Sequence, residues 1–355
     1  MLSKTASVAL VERESSLMSR ASRINQTRVH TGSHYLRAPR TALDAKKYRD
    51  RFLIEHDFAI NKGFEHIYAI ARQGSLTSAR GFERFCEWLG VDVERVDNEL
   101  IMDSRRISES YKLKEYSFDP FLIANSYLQD LRKQKASLYF QSEIVDAKRE
   151  DDHWRVEVRD LDGQKICLEA KCVINATYSN LNSVAKQFGL PDIRMKHEYS
   201  ELLLANIPSL RDLAVTIMDG PFLSITPYGL SGLHVLSSVI YTHHFSTKEL
   251  EVKMPCQTIN RACQVGNFNT CQTCRDRPMS AKQFMLNQAE GYIPNLGSVY
   301  VHGKMETVKS TWAVDDYRDE RQTMVRKLAS APNFYAVMSG KVSAIYEMEG
   351  LFSVD

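Results

Sequence analysis

One acidic residue of this 355-residue chain stands where nucleotide-binding proteins place an acid with a defined task. Glu12 ends the short apolar run of residues 8–11, which predicts a β-strand. In a dinucleotide-binding βαβ unit, the second strand ends in an acid that hydrogen-bonds a ribose hydroxyl. A Gly-x-Gly-x-x-Gly loop is expected about 20 residues earlier, yet only eleven residues precede Glu12 and none is glycine. Either the sequence starts late or it carries a degenerate copy of the unit.

Cationic and phenolic side chains in the second half of the chain could face a substrate. Lys309 and Arg318 are suited to clamp a carboxylate, and Tyr228 could orient it. The alternative is a turn at Tyr228 and an ordinary charged loop around Arg318. These three residues are the predicted catalytic or substrate-binding side chains.

Four cysteines are clustered in a polar stretch, residues 256–277, which predicts a long loop. Cys271 and Cys274 have the two-residue gap of a zinc knuckle, whereas Cys256 and Cys263 are six residues apart. The alternatives are a zinc site that staples the loop, four free thiols, or a redox-active Cys-x-x-Cys pair. Seven cysteines, an odd number, favour a reducing cytoplasm over a disulfide framework.

Composition excludes several classes of function. The chain is 43% apolar and 25% charged, which is typical of a globular protein long enough for two domains. A net charge of +2 predicts no attraction to nucleic acid or membrane surfaces. No apolar run reaches the length of a membrane span, and no secretory signal is evident. A small-molecule partner is expected, and the oligomeric state stays open.

Local patterns predict alternating blocks of structure. The predicted helices are residues 40–58, 77–89, 120–135 and 280–292, with a helix start at 341–349. The predicted strands are residues 8–12, 67–71, 116–119, 142–147, 154–158, 166–168, 171–177, 202–206, 214–218, 222–226, 232–240, 298–303, 307–311 and 334–338. Nucleotide-type strands thus lie near the beginning, middle and end, with meanders between them. A discontinuous cofactor domain with an inserted second domain fits this order.

Four patches in this order resemble FAD-dependent oxidoreductases of the D-amino-acid oxidase type. Val11-Glu12, followed by residues 19–22 and Asn25, is similar to the ribose-binding strand and the flavin-side loop of that family. Residues 28–35 resemble a loop found in a subgroup. Residues 173–177 look like the strand end that approaches the cofactor, and residues 334–341 look like the closing strand and its turn near the flavin ring.

The resemblance implies an α/β fold. A Rossmann-like FAD-binding domain, lacking the first strand and glycine loop, would comprise residues 1–60, 130–190 and 325–355. An α+β substrate domain on a largely antiparallel sheet would comprise residues 61–129 and 191–324. Two departures from the family pattern are Tyr178 and Ser339, each of which replaces a usual glycine.

The resemblance also implies a set of cofactor-binding residues. Glu12 would bind the ribose, Val145 the adenine, and Lys341 with Gly340 the flavin ring. The remaining residues would lie along the pyrophosphate and flavin edge: Ser22, Asn25, Arg28, His30, Asn175, Ala176 and Thr177. The implied activity is oxidation of a C–N or C–OH bond of a small polar substrate by hydride transfer to FAD. The alternative is a non-catalytic or truncated relative that serves as a binding or scaffold module.

Overall fold

We describe a computed structural model of the chain, which defines residues 6–97, 101–250, 252–259, 274–312, 321 and 323–351. The α-helices of these residues are α1 (Pro39–Lys47), α2 (Arg49–Glu55), α3 (Ala79–Leu89), α4 (Pro120–Lys133), α5 (Leu181–Gln187), α6 (Pro255–Ile259) and α7 (Lys282–Tyr292). Short 3₁₀ helices cover Asp57–Ala59, Tyr178–Asn180, Pro208–Leu210 and Val342–Leu351.

The strands are more numerous than the sequence predicts. They are β1 (Ala9–Glu12), β2 (Arg28–Val29), β3 (Ile60–Asn61), β4 (Glu65–Ala71), β5 (Val93–Arg95), β6 (Ile107–Leu113), β7 (Tyr116–Phe118), β8 (Ser137–Phe140), β9 (Ser142–Arg149), β10 (Trp154–Asp160), β11 (Lys165–Ala170), β12 (Cys172–Asn175), β13 (Met195–Asn206), β14 (Leu213–Met218), β15 (Leu223–Pro227), β16 (His234–Ser238), β17 (His243–Thr247), β18 (Tyr300–Trp312), β19 (Met324–Ser330) and β20 (Asn333–Met338).

Helix ends follow local capping rules. The Ser78 hydroxyl accepts a hydrogen bond from the Gly81 amide at 3.1 Å, and Gly90 ends α3 with a φ of 65°. The Asp119 carboxylate likewise caps α4. The prediction of one continuous helix over residues 40–58 is wrong. Tyr48 leaves helical geometry with a φ of −115°, so the segment forms two helices, α1 and α2. The predicted helix start at 341–349 is a 3₁₀ helix.

Parallel strand pairs occur in two separate groups. β1 pairs with β8, and β12 pairs with β20. β20 also pairs with β19, in the antiparallel direction. The antiparallel meander β9–β10–β11 confirms the predicted hairpins at the Asp/Gly-rich turns. A buried cluster that contains Trp154, Phe188 and Phe334 joins the meander to α5 and to both groups of parallel strands.

A nine-stranded mixed sheet is the largest element. Its order is β17-β13-β16-β15-β14-β4-β6-β5, and β18 pairs along β13. The two strands predicted at 298–303 and 307–311 form the single strand β18, because residues 304–306 between them pair with residues 201–203 of β13 without interruption. The register shift between Leu204 and Ala205 lies opposite residues 301–303 and is a bulge within the strand. One large apolar cluster packs this sheet against α7, and another packs it against α3.

A small sheet, β2-β7-β3, lies between these parts of the chain. Its apolar residues pack with Phe52 of α2, Ile123 of α4 and Tyr346 near the carboxyl end. Because β2 begins at Arg28, this sheet fixes the start of the loop that runs from Arg28 to Tyr35. That loop contacts the residues that follow β20.

Candidate active site

The two parallel strands β12 and β20 end at the same edge. Asn175 is in register with Ala336, so Ala176 and Thr177 emerge beside the turn that carries Gly340. In open α/β sheets, ligands bind outside the carboxyl ends of the strands. The structure therefore places two of the predicted cofactor-binding segments at one edge.

Asn175 holds the backbone at this edge. Its side chain is buried, donates from Nδ2 to the Leu181 carbonyl at 2.9 Å, and accepts from the Thr177 hydroxyl at 2.7 Å. Ala176 and Thr177 themselves are exposed. Asn175 thus shapes the turn, and the exposed part of the segment is left to face a ligand.

Lys341 brings the end of β20 to the loop after β2. Only 8% of Lys341 is exposed, and its Nζ lies 3.9 Å from the centroid of the Tyr35 ring. The Tyr35 hydroxyl is 3.4 Å from Nε2 of His30. Two predicted residues that are far apart in the chain, His30 and Lys341, are therefore joined through one aromatic ring.

A buried ion pair between Arg28 and Glu115 lies next to His30. Glu115 is buried and accepts hydrogen bonds from Arg28 Nε at 2.6 Å, from the Thr31 amide at 3.0 Å and from the Tyr68 hydroxyl at 3.1 Å. Arg28 also donates to Tyr68. His30 Nδ1 lies 3.4 Å from Glu115 Oε1. The sequence does not predict Glu115, because an isolated acid before a short strand carries no functional pattern.

Burial and charge together set the protonation states of this cluster. Burial opposes ionisation of Glu115, but the charge of Arg28 outweighs it and holds the pKa of Glu115 well below its usual range. Burial, helped by Arg28, lowers the pKa of His30 to about 4. The same two effects lower the pKa of His66 to about 3. At neutral pH the cluster therefore combines an ion pair with two neutral imidazoles.

The depressed pKa of His66 predicts a loss of stability in acid. His66 is buried, its Nε2 lies 2.9 Å from the Thr216 hydroxyl, and Arg28, Glu115 and His30 surround it. The unfolded chain takes up a proton near the ordinary pKa of 6.5, whereas the folded site takes it up only near 3. The stabilisation is complete above the unfolded value and is lost as the pH falls through this window.

We therefore expect the unfolding free energy to fall between about pH 6.5 and about pH 3 by an amount that depends on His66. Urea titrations at several pH values in this range should show a shallower decline for His66→Gln than for the unaltered protein. His153→Gln, which alters a partly exposed histidine whose pKa is raised, serves as the control. A decline as steep in His66→Gln as in the unaltered protein would contradict this assignment.

The predicted ribose-binding acid lies at the end of β1. Glu12 is half-buried, its Oε1 accepts from the Glu14 amide at 2.9 Å, and burial raises its pKa. The loop that follows is held by Asn25, whose Oδ1 accepts from the Thr27 amide and whose Nδ2 donates to the Ala21 carbonyl at 2.8 Å. Ser22 offers its carbonyl to the same Nδ2 at 3.0 Å. Asn25 therefore shapes this loop.

Two of the three predicted substrate residues have protein partners. Tyr228 is buried, and its hydroxyl donates to the Arg23 carbonyl at 3.2 Å. Lys309 of β18 donates to Glu198 Oε2 of β13 at 2.8 Å. Tyr228 thus ties the loop after β1 to the large sheet, and Lys309 belongs to a cross-strand ion pair. Arg318 lies outside the described residues.

The remaining predicted residues are Val145 and the four clustered cysteines. Val145 is a half-buried residue of the meander strand β9. Cys256 and Cys274 form no disulfide among the described residues, and Cys263 and Cys271 lie outside that part of the chain. Within the part of the chain that the structure defines, no group of three or more His, Cys, Asp or Glu side chains is arranged to hold a metal ion. The predicted zinc site therefore has no support.

Comparison with known proteins places the chain in a family. The FAD-dependent oxidoreductase (DAO) family model matches residues 1–342. The FAD-dependent monooxygenase FPY4 of Fusarium mangiferae is 24% identical over 360 residues, which span 96% of this chain and 82% of the relative. Across the described residues, no helix combines the length and apolar character that a bilayer crossing requires.

Solved structures agree on the fold. Glycine oxidase from Geobacillus kaustophilus has a TM-score of 0.69 at 13% identity, with 97% of this chain and 85% of that chain covered. The reduced, FAD-bound L-α-glycerophosphate oxidase from Mycoplasma pneumoniae has a TM-score of 0.68 at 13% identity, covering 94% and 83%. These similarities confirm the predicted mixed α/β fold with its large sheet. Since the family model matches nearly the whole sequence, the chain belongs to the DAO family of FAD-dependent oxidoreductases.

Proposed function

We propose that this protein oxidises a C–N or C–OH bond of a small polar molecule, with FAD as the hydride acceptor. The observation that carries the proposal is the contact of Lys341 with Tyr35, which in turn contacts His30, at the shared edge of β12 and β20. Family membership supplies the cofactor class. The choice of bond comes from the chemistry that the family resemblance implies.

The described residues fit the ring end of FAD. Lys341 is a buried ammonium at a strand end, where it would stabilise negative charge on a reduced flavin. Gly340, Ala176 and Thr177 would present backbone groups beside the ring. Arg28 does not fit the charge-stabilising task, because its guanidinium is already paired with Glu115. We therefore assign that task to Lys341 alone.

Fewer observed contacts support the residues proposed to bind the pyrophosphate and adenosine part of FAD. Glu12 would hold the ribose, Ser22 and Asn25 would line the edge, and Val145 would lie near the adenine. No Gly-x-Gly-x-x-Gly segment occurs in the sequence. A pyrophosphate usually binds at a helix N-terminus that follows such a turn. The sequence contains no glycine-rich turn of this kind.

The substrate would meet neutral polar groups. FAD, when bound, accepts the hydride, and the protein orients the carbon that gives it up. His30 is uncharged at neutral pH, and its Nε2 faces the Tyr35 hydroxyl. Both groups are suited to hydrogen-bond a substrate hydroxyl or amine. Lys309, Tyr228 and Arg318 stay predicted contacts for the rest of the substrate.

The proposal is tested with FAD in excess. We expect the protein to quench flavin fluorescence, and the bound flavin to lose its visible absorbance when small amino and hydroxy compounds are added anaerobically. Lys341→Met should slow that reduction by about 100-fold, in line with the loss of one charge-stabilising group. Lys282→Met, a change of an exposed lysine on α7, is the matched control. Protein that leaves flavin fluorescence unchanged at every FAD concentration would overturn the proposal.

A further inference from the structure

His30 is the member of the buried ion-pair cluster that a ligand can reach. The cluster consists of Arg28, His30, His66, Tyr68 and Glu115. The side chain of His30 is 16% exposed, whereas those of His66 and Glu115 are 1% and 0% exposed. Arg28 and Tyr68 are buried as well. A bound molecule would therefore exchange a proton with this cluster through His30.

The two ring nitrogens of His30 have different neighbours. Nδ1 lies 3.4 Å from Glu115 Oε1, and Nε2 lies 3.4 Å from the Tyr35 hydroxyl. Because a carboxylate only accepts hydrogen bonds, it favours the neutral tautomer that carries its proton on Nδ1. Nε2 is then the acceptor nitrogen. Catalytic hydrogen bonds are often this long in the absence of a ligand and shorten when one binds.

The groups around His30 oppose a further positive charge. Burial contributes most to the lowered pKa of His30, and the charge of Arg28 comes next. Lys341 also lowers this pKa, and Glu115 offsets the decrease only in part. The His34 ring, whose centroid is 5.9 Å away, stacks on the same imidazole. A substrate ammonium beside Nε2 would meet the same opposition, whereas a hydroxyl brings no charge.

We propose that His30 Nε2 accepts the hydroxyl proton of the substrate, that Glu115 is the positioning residue for the His30 ring, and that the substrates are hydroxy compounds rather than amines. This inference rests on the proposed function, within which it selects the C–OH bond. The carboxylate on one ring nitrogen and the reachable acceptor on the other are the observations that carry it.

The proposed step balances in atoms and charge. The hydrogen on the reacting carbon leaves as hydride to FAD, the O–H proton forms a bond to His30 Nε2, and the O–H electron pair completes the C=O bond. The substrate is oxidised and the flavin is reduced. Because the flavin gains a negative charge while His30 gains a positive one, the net charge of the site is unchanged. That negative charge also offsets the opposition to a protonated His30.

An amine does not need this base. When an uncharged amine loses hydride, the nitrogen lone pair forms the C=N bond and the iminium product keeps its N–H protons. A hydroxyl that lost hydride without a base would leave a protonated carbonyl, which is a far stronger acid. A positioned proton acceptor is therefore of use mainly to a hydroxy compound.

The first measurement needs no FAD. Nitrogen-15 NMR of the full chain with labelled histidines shows which ring nitrogen carries the proton, and the His30 signals are those that disappear in His30→Gln. At neutral pH we expect a protonated Nδ1 and an unprotonated Nε2. Arg28→Met combined with Glu115→Leu removes the ion pair and the oxygen that faces Nδ1, so this double variant should shift the proton toward Nε2. A protonated Nε2 in the unaltered protein would overturn the proposal.

The second measurement is anaerobic reduction of the FAD-loaded protein in a single turnover. His30→Gln should slow reduction by hydroxy compounds by about 100-fold or more, the usual contribution of a general base. His153→Gln, a change of a partly exposed histidine, is the control and should leave the rate unchanged. A pH indicator in weak buffer should show that the unaltered protein keeps the substrate proton, whereas His30→Gln releases it to water. A merely structural defect would slow reduction without changing where the proton goes.

The outcomes distinguish this inference from the proposed function. Reduction of the flavin by amines alone would overturn the inference and leave hydride transfer to FAD in place. Reduction by hydroxy compounds that is unaffected in His30→Gln but lost in Tyr35→Phe would assign the proton to Tyr35 and would also overturn it. A bound flavin that neither class of compound reduces would overturn the proposed function and this inference together.

Discussion

Replacement of Arg28 by methionine is expected to lower the free energy of unfolding by about 3–5 kcal/mol, the usual cost of removing one partner of a buried ion pair. The side chains of Arg28 and Glu115 are 1% and 0% exposed, so the variant would leave a carboxylate buried without its cation. The three remaining hydrogen bonds, from the Thr31 amide, the Thr31 hydroxyl and the Tyr68 hydroxyl, would not compensate for the lost charge.

A double-variant cycle measures the coupling between the two residues. Arg28→Met combined with Glu115→Gln removes both charges while the glutamine oxygen can still accept from Thr31. We expect this double variant to be more stable than Arg28→Met alone, because no buried ion is left unpaired. Urea unfolding followed by tryptophan fluorescence gives the free energies. A double variant that is as unstable as Arg28→Met, or less stable, would contradict the view that the unpaired charge dominates the loss.

Replacement of Gly32 by alanine should lower the unfolding free energy by about 2–5 kcal/mol, through backbone strain and overpacking together. Gly32 has a φ of +98°, and a Cβ there would lie 2.6 Å from the Ala42 carbonyl oxygen and 2.9 Å from Cδ2 of Leu89. The Ala42 carbonyl belongs to α1 and cannot withdraw without disturbing the helix. The loop that carries His30 and Tyr35 would have to move instead.

The matched control for Gly32 is the hairpin glycine Gly163. Its φ is +81°, but a Cβ there meets nothing within 4 Å. Gly163→Ala should therefore cost only about 1 kcal/mol, from backbone strain alone. Gly32→Ala should in addition abolish flavin reduction by substrate, because it displaces Tyr35 from Lys341. Equal losses of stability in the two alanine variants would show that the close contact with α1 is not the cause.

Local patterns were sufficient for much of the secondary structure and for parts of the site. The apolar run before Glu12, the hairpins of the meander and the capped helix α3 all depend on neighbours within a few residues, and the structure has each of them. The strand ends at Thr177 and Gly340 were also predicted as cofactor segments, because the resemblance to the D-amino-acid oxidase family implies that role for them. Their assignment to FAD stays a proposal that rests on the family.

Other features could not be predicted because their partners are distant in the chain. The sequence indicates two short strands where β18 is continuous, since only the pairing with β13 keeps residues 304–306 in the strand. Lys309 has the chemistry of a carboxylate clamp, but the fold pairs it with Glu198, 111 residues away. Tyr228 has the chemistry of a substrate contact, but the fold directs its hydroxyl to Arg23.

By itself, the sequence determined the family, the order of the nucleotide-type strands and the meander, because these depend on short runs of residues in a fixed order. The tertiary structure alone decided that Glu115 neutralises Arg28, 87 residues away, and that Lys341 meets Tyr35. It also decided that β1 pairs with β8 and that β12 pairs with β20. Charge pairing and strand adjacency depend on how distant segments pack, and a local sequence pattern does not determine that packing.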